Sequence, residues 1–448
     1  MASAETHPAP AAEPPAVAAG SAGAGRPAPA WLFFWRSPED QPRWARPALL
    51  AIAALAAALT TWNITTSGYA LFYSVATKSM SVSWKAFFYG ALDPGATITI
   101  DKLAGSFIPQ ALSARIFGYH QWSLTLPQVI EGVIAVLAMY RIGRRWLGPA
   151  VGLLAAGLFA LTPIVASMFG HPMEDGMLTM CLVLAADAFQ RAVLEARLRS
   201  LMLAGFWVGI GFQAKMMQAW IVLPALVITY LVVAPTGLRR RLAQVSVAGV
   251  AMLAVSLSWV LLYTVTPAQD RPYVDGSTNN SAFAMVFGYN GLDRFGVKVP
   301  GSVESMFTGG SGGGPARPGA NAGGAPNAGG APNADAPNAG GAPRQGGGGE
   351  SQGWTKLVGS SYGSQVGWLY PLALLSLVLG LIWSGRAART DAMRGGFVLW
   401  GLWLITFAVV FSKMTIPHTA YMASLAPPVA ALGAGGIVLF WRAYRDGR

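Results

Sequence analysis

Apolar runs recur along this chain, and several reach the ~20 residues that carry a helix across a bilayer. Ten candidate spans lie near residues 47–63, 122–140, 149–168, 176–194, 200–214, 217–235, 245–264, 366–383, 396–412 and 422–441. Only 11% of the residues are charged, far below the roughly 25% of ordinary soluble domains. The chain therefore reads as an all-α polytopic membrane protein with about 10 transmembrane helices or more. An Ala/Pro-rich, disordered tail occupies 1–45, and the first apolar run is long enough to stay as a span. Cys181 is the only cysteine, so no intramolecular disulfide forms.

Arginines cluster at alternate ends of these runs: Arg43 and Arg46, Arg144 and Arg145, Arg197 and Arg199, Arg239 to Arg241, Arg386 and Arg389, Arg442 and Arg445. The positive-inside rule places them all in the cytoplasm, with both termini inside. The net charge of +12 is then mostly a topology signal, and nucleic acid is not expected as a partner. All seven lysines fall on the opposite side. A general preference for arginine accounts for most of that asymmetry. Lys102 and Lys215 are set apart as anion-binding candidates. Two outward segments are long. Within 64–121, "YALFYSVATKSM" and "LAGSFIPQALSARIF" have apolar residues at helical spacing and predict extracytoplasmic helices lying on the membrane surface. Later, 309–350 is a Gly/Ala/Pro/Asn low-complexity tract expected to act as an extracytoplasmic linker. It separates a core over 46–308 from C-terminal spans over 351–448.

Short polar motifs gather at the outer face. "TITIDKLAG" carries Asp101 and Lys102, and "FGHPMEDGML" brings His171, Glu174 and Asp175 into a tight turn. "AKMMQAW" holds Lys215 and Gln218, and "SKMTIPHTAY" holds His418 and Tyr421. Each motif has a plain structural reading as well: a solvated ion pair, a helix cap, a snorkelling lysine or an interfacial anchor. Glu131 and Asp187 fall inside spans, where a charge is costly unless it is bonded to a neighbouring helix or neutral. A lipid-phosphate substrate would need a cation for its phosphate, a carboxylate to activate an acceptor hydroxyl and an apolar groove beside both. Lys102, Asp101 and the surface helix after them supply that combination.

These motifs resemble the GT-C membrane glycosyltransferases, in the protein O-mannosyltransferase and aminoarabinose-transferase-like group. "ITIDKLAGSFIPQALSARIFG" resembles that group's acidic-Lys-Pro-Pro segment, and "HPMEDGMLTM" resembles its Asn/Asp-Pro-Asp-Leu turn. "FGYNGLDRFG" and "KMTIPHTAYMASLAPPVAAL" are similar to the actinobacterial branch. The resemblance implies inverting transfer of a mannose- or arabinose-like sugar from a polyprenyl-phosphate carrier, on the outer face of a bacterial plasma membrane. The acceptor would be an extracytoplasmic glycan, lipid or protein. Lys102, with Lys215, would bind the donor phosphate, and Asp101 and Asp175 would lie in the catalytic cavity. His171, Glu174, Gln218, His418 and Tyr421 would support them. A divalent metal is an open expectation, with Asp101 as its ligand.

The chain departs from the family pattern at three places. No acid stands between Asn63 and Lys78, where relatives place their usual base. Leu103-Ala104 replaces the Pro-Pro, and "HTAYM" replaces His-Pro-Tyr-Tyr. Asp175 lacks a neighbouring cation in sequence and is expected to act as base ahead of Asp101, whose basicity Lys102 would lower. A secondary transporter or lipid flippase is the rival reading, and a non-catalytic protein of the same fold is a third.

Overall fold

Each apolar run folds as helix, and the two outward stretches with helical spacing do so too. The computed structural model describes residues 35–303, 353–415 and 419–447. The N-terminal tail, the low-complexity tract and His418 lie outside these residues. In chain order, α1 (Ala45–Thr61) is followed by three short helices of the first outward segment, α2 (Leu71–Val82), α3 (Trp84–Tyr89) and α4 (Phe107–Phe117). The bundle continues with α5 (Gln121–Leu147), α6 (Pro149–Ala160), α7 (Pro163–Phe169), α8 (Glu174–Glu195), α9 (Leu198–Lys215), α10 (Leu223–Val233) and α11 (Leu238–Val265). It closes with α12 (Ser360–Val366), α13 (Tyr370–Trp383), α14 (Ala392–Lys413) and α15 (Ala426–Arg445). Among the described residues, β structure is limited to isolated bridges.

By length and composition, seven helical runs can cross a membrane, or eight if the bent pair α6–α7 counts as one, and α1 is a shorter apolar helix. One of the seven, Leu198–Val233, is 36 residues long. A straight helix of that length would measure about 54 Å, well beyond a ~30 Å hydrocarbon core. It folds back instead. Met216 adopts a φ of 48°, and Met216–Val222 tightens to a 310 segment. Gln244, near the start of α11, accepts from the Tyr230 hydroxyl of α10 at 2.7 Å and donates to the carbonyl of Ala196, just before α9, at 2.9 Å. Both ends of the run therefore meet at one end of the bundle. With this run split in two, the bent pair counted as one and the shorter α1 included, the apolar helical segments number ten, as expected from sequence.

The expected third span is not continuous. Its halves α6 and α7 meet at 68°. Pro163 supplies the cause, because it lacks an N–H and forces the residue before it out of helical geometry; Thr162 is extended, with ψ 123°. Small residues let the helices approach closely, as membrane packing requires. A Cβ on Gly152 of α6 would lie 2.6 Å from the Tyr140 carbonyl of α5.

The arginine clusters share one end of the bundle. Arg145 and Arg141 of α5 and Arg191 of α8 hold the buried Asp187 at 2.6, 3.0 and 3.0 Å. Arg389 donates to the carbonyls of Val232 and Ala234 at 2.8 and 2.9 Å, and Arg442 to that of Leu147 at 3.3 Å. The Trp146 indole, at the end of α5, donates to the Met393 carbonyl at the start of α14. The charge of Asp187 inside span four is thus a structural ion cluster, remote from the polar motifs at the other end.

The hairpin geometry of α9 and α10 predicts the effect of one substitution. Gln244→Leu removes an acceptor for Tyr230 and a donor to Ala196, and strands a buried hydroxyl. The expected destabilisation is about 1–3 kcal/mol, read as a lowered thermal midpoint in detergent. A straight 198–233 helix would leave that midpoint unchanged.

Candidate active site

The alternating segment Thr97–Ile100 is extended, as its period-2 pattern suggests. Thr99 N–H donates to the Tyr273 carbonyl at 2.9 Å, and Tyr273 N–H to that of Thr97 at 2.8 Å. This pairing brings a distant outward loop to the first one. The Asn290 side chain then donates to the Asp101 carbonyl at 2.6 Å. Beyond Lys102, Gly105 presses the loop onto the end of α9. Its N–H donates to the Gln213 carbonyl at 3.1 Å, and a Cβ there would sit 2.5 Å from the same oxygen. A larger residue at 105 would push Asp101 and Lys102 off the bundle.

The acids of the tight turn occupy the first turn of α8, where the helix dipole favours them. Neither caps the helix: Met173 is the cap residue, and it makes no side-chain capping bond. Glu174 and Asp175 are buried, and both meet lysines. Lys102 Nζ lies 3.2 Å from Glu174 Oε1 and 3.8 Å from Asp101 Oδ1, and donates to the Tyr73 hydroxyl at 2.5 Å. Lys215, the last residue of α9, donates to Asp175 Oδ1 and lies 3.6 Å from Glu174 Oε1. One oxygen of Glu174 therefore serves two ammonium groups from different parts of the chain. The Tyr73 ring lies 4.5 Å from Lys102 Nζ, and the Tyr421 ring 4.2 Å from Lys215 Nζ.

Burial would lower the Lys102 pKa, but Glu174, then Tyr73 and Asp101, outweigh it and hold the group well above its ordinary value. Lys102 is therefore charged at neutral pH. Burial and Glu174 push the Tyr73 hydroxyl far up as well, so it stays protonated. Tyr289 is pushed up to about 12, by burial first and the Asp101 carboxylate second.

These groups face a cavity of about 370 Å³. Its polar wall includes Tyr73, Asp101, Lys102, Glu174, Lys215, Gln218, Tyr289, Asn290, Arg294 and Tyr421. The remaining wall is apolar, with Met216, Met217, Trp220, Ile221, Phe295 and Met414 among its residues. Of the residues expected from sequence, Asp101, Lys102, Glu174, Lys215, Gln218 and Tyr421 thus come together. Gln218 also donates to Ser424 Oγ at 3.0 Å. Asp175 does not line the cavity; it lies behind Lys215. His171 does not line it either. It hydrogen-bonds the Ser67 backbone, and burial holds its pKa below the ordinary value.

Four lining residues had no assigned role from sequence: Tyr73, Tyr289, Asn290 and Arg294. The last three stand in "FGYNGLDRFG", a motif with a cation, an amide and a phenol in an outward segment. Its resemblance to the actinobacterial branch is the signal that could have found them. Tyr73 was hidden within an apolar helix face. Among the described residues no three His, Cys, Asp or Glu side chains converge, and each carboxylate here already faces a lysine.

Residues 105–259 match the family model described as dolichyl-phosphate-mannose-protein mannosyltransferase. The Bacillus subtilis proteins named "Putative mannosyltransferase YycA" and "Putative mannosyltransferase YkcB" are 31% and 32% identical to 90% and 89% of the chain. The chain covers 64% and 62% of their lengths, so it spans just under two thirds of these relatives. The undecaprenyl phosphate-alpha-4-amino-4-deoxy-L-arabinose arabinosyl transferase of Pseudomonas aeruginosa (strain LESB58) is 30% identical over 34% of the chain and 28% of its own. Among solved structures, ArnT from Cupriavidus metallidurans bound to undecaprenyl phosphate superposes with a TM-score of 0.57 at 14% identity, covering 87% of this chain and 60% of that one. The oligosaccharyltransferase of Archaeoglobus fulgidus in its apo form gives 0.53 at 14% identity, over 90% and 52%. The protein is thus a polytopic membrane protein of the GT-C fold. Its sequence is similar to the two Bacillus subtilis proteins over 90% and 89% of the chain, and to the arabinosyl transferase over 34% of it.

The buried Lys215–Asp175 pair has a stability signature. Lys215→Met leaves a buried carboxylate without its ammonium and is expected to cost about 3–5 kcal/mol. Lys215→Met/Asp175→Leu should recover most of that loss. Unfolding of both variants in detergent measures the difference, and equal losses would show that the two groups are not coupled.

Proposed function

We propose that this protein is a membrane glycosyltransferase that moves a mannose- or arabinose-like sugar, with inversion, from a polyprenyl-phosphate donor to an extracytoplasmic acceptor. One observation carries the reading. A single cavity joins Lys102, Lys215 and Arg294, the Asp101 carboxylate and an apolar wall, at the bundle end opposite the arginine clusters. The descriptions of the relatives support the same class of chemistry.

In this reading the donor's phosphate lies against Lys102 and Lys215, with its lipid chain along the apolar wall. The acceptor oxygen attacks the anomeric carbon from the face opposite the phosphate. The bond from that carbon to the phosphate oxygen breaks, and its electron pair leaves with the polyprenyl phosphate. The acceptor's proton passes to a carboxylate. From sequence, Asp175 was the favoured base; burial and pairing support Asp101 in that role instead. Asp175 is 1% exposed and paired to Lys215, whereas the Asp101 side chain is 21% exposed on the cavity wall. Glu174 and Tyr73 hold Lys102 in place, which preorganises the charge that stabilises the leaving phosphate.

A transporter would place its polar residues near the bilayer midplane. Here the cavity's charges sit at the ends of α8 and α9 and on the first outward loop. By the positive-inside rule that end faces outward and both termini face the cytoplasm. Exposed positions test the orientation in a Cys181→Ala background. Cysteines replacing Lys78 and Asp270 should react with an impermeant maleimide in intact spheroplasts, and those replacing Arg199 and Ala388 only after permeabilisation. The reverse pattern would put the cavity on the donorless side and end the proposal.

Transfer itself is tested with membranes incubated with radiolabelled polyprenyl-phosphate sugars. Asp101→Asn should lower single-turnover transfer by ~10²-fold or more while donor binding changes little. Lys102→Gln should weaken donor binding by about 1.5–3 kcal/mol, the worth of a charge-assisted hydrogen bond. Wild-type transfer by Asp101→Asn would remove Asp101 from the mechanism. Absence of transfer by the wild-type protein with every donor would favour the non-catalytic reading.

A further inference from the structure

Lys356 belongs to none of the motifs above. It follows the low-complexity tract, in a 310 segment over Trp354–Val358. It is nonetheless 5% exposed, and its ammonium donates to the carbonyl of Met414 at 2.7 Å. Burying an ammonium is costly unless the site holds it firmly. A cation at the C-terminal end of a helix meets the negative end of the dipole, and α14 ends at Lys413.

The carbonyl it holds is part of a junction. Met414 lines the cavity. The next N–H, of Thr415, donates to the carbonyl of Arg294 at 2.9 Å, and Arg294 lines the cavity too. Two residues before Met414, the Ser412 carbonyl accepts from Gly353 N–H at 3.0 Å. Further along the chain stands Tyr421, whose ring faces Lys215, and then Ser424, which binds Gln218. One short stretch thus carries an apolar wall residue, docks onto Arg294 and leads to the partners of Lys215 and Gln218. Gly353 and Lys356 clamp that stretch from outside the cavity.

We propose that Lys356 is a positioning residue for the lipid-phosphate site: through the Met414 carbonyl it sets the cavity wall formed by the end of α14. It acts by holding the Met414 carbonyl, which seats the next residue, Thr415, on the carbonyl of Arg294. The inference rests on the lipid-phosphate reading of the cavity only for its effect on ligand affinity. The clamp itself is independent of that reading.

Two measurements on the full chain in detergent separate the two. In a Cys181→Ala/Met414→Cys background, the cysteine should react slowly with maleimide. Lys356→Met should raise that rate by about 10-fold, and Lys356→Arg should restore it. In the natural background, undecaprenyl phosphate is titrated as the probe. Lys356→Met should bind it about 10-fold more weakly, with a thermal midpoint close to wild type and recovery in Lys356→Arg. Should Lys356→Met fail to fold, Lys356→Gln carries the same comparison. Unchanged reactivity at position 414 overturns the clamp. Wild-type affinity in Lys356→Met, or a loss that only tracks a fall in thermal midpoint, overturns the positioning role. A wild-type protein that does not bind undecaprenyl phosphate, with reactivity at 414 still governed by residue 356, would instead count against the lipid-phosphate reading.

Discussion

The site depends on one shared carboxylate. Glu174 Oε1 stands between Lys102 of the first outward loop and Lys215 at the end of α9. Without it, two buried ammonium groups would face each other across a poorly hydrated space, and like charges so placed repel strongly. With it, the loop, α8 and α9 close around a common point. Asp175 completes the set on the far side of Lys215. Replacing buried ion pairs with apolar residues often stabilises a protein, so stability alone does not account for this cluster.

Main-chain contacts deliver that cluster to its place. Asp101 and Lys102 are carried on an extended segment paired with Tyr273, and Gly105 seats the following turn on the Gln213 carbonyl. The helices supply the remaining constraint: α8 begins, and α9 ends, at the cavity. Their starting and ending residues are therefore held at a fixed depth by the packing of the bundle rather than by the loop itself.

The sequence carried much of this. Apolar runs and their arginine flanks expose the spans, because a bilayer imposes a length and a charge asymmetry that a linear reading can detect. Lys102, Glu174 and Lys215 stood out as charges at one depth. What adjacency concealed was pairing. Asp175 lacks a neighbouring cation in sequence, yet Lys215, 40 positions away, bonds to it. The expectation of Asp175 as base rested on that missing neighbour, and the fold supplies one. Asp187 seemed costly within its span because its arginines come partly from another helix. Tyr73 could be read only as one more apolar position at helical spacing, since a phenol's hydroxyl declares itself only when a partner arrives. The bend at Pro163 was open to inspection, but a run of apolar residues reads as continuous until the missing N–H is considered.

The sharing of Glu174 has a consequence for how any anion enters. The two lysines are already neutralised by fixed internal counter-ions, so an arriving phosphate exchanges one partner for another and adds no new charge attraction outright. Its net gain is the difference between two ion pairs, smaller than either. Mobile salt competes weakly at such a place, since the charges it would screen are buried and mutually compensated. A cavity of this kind behaves as an ion exchanger with a built-in resident ion, discriminating by shape and hydrogen-bond geometry more than by the number of charges on its guest.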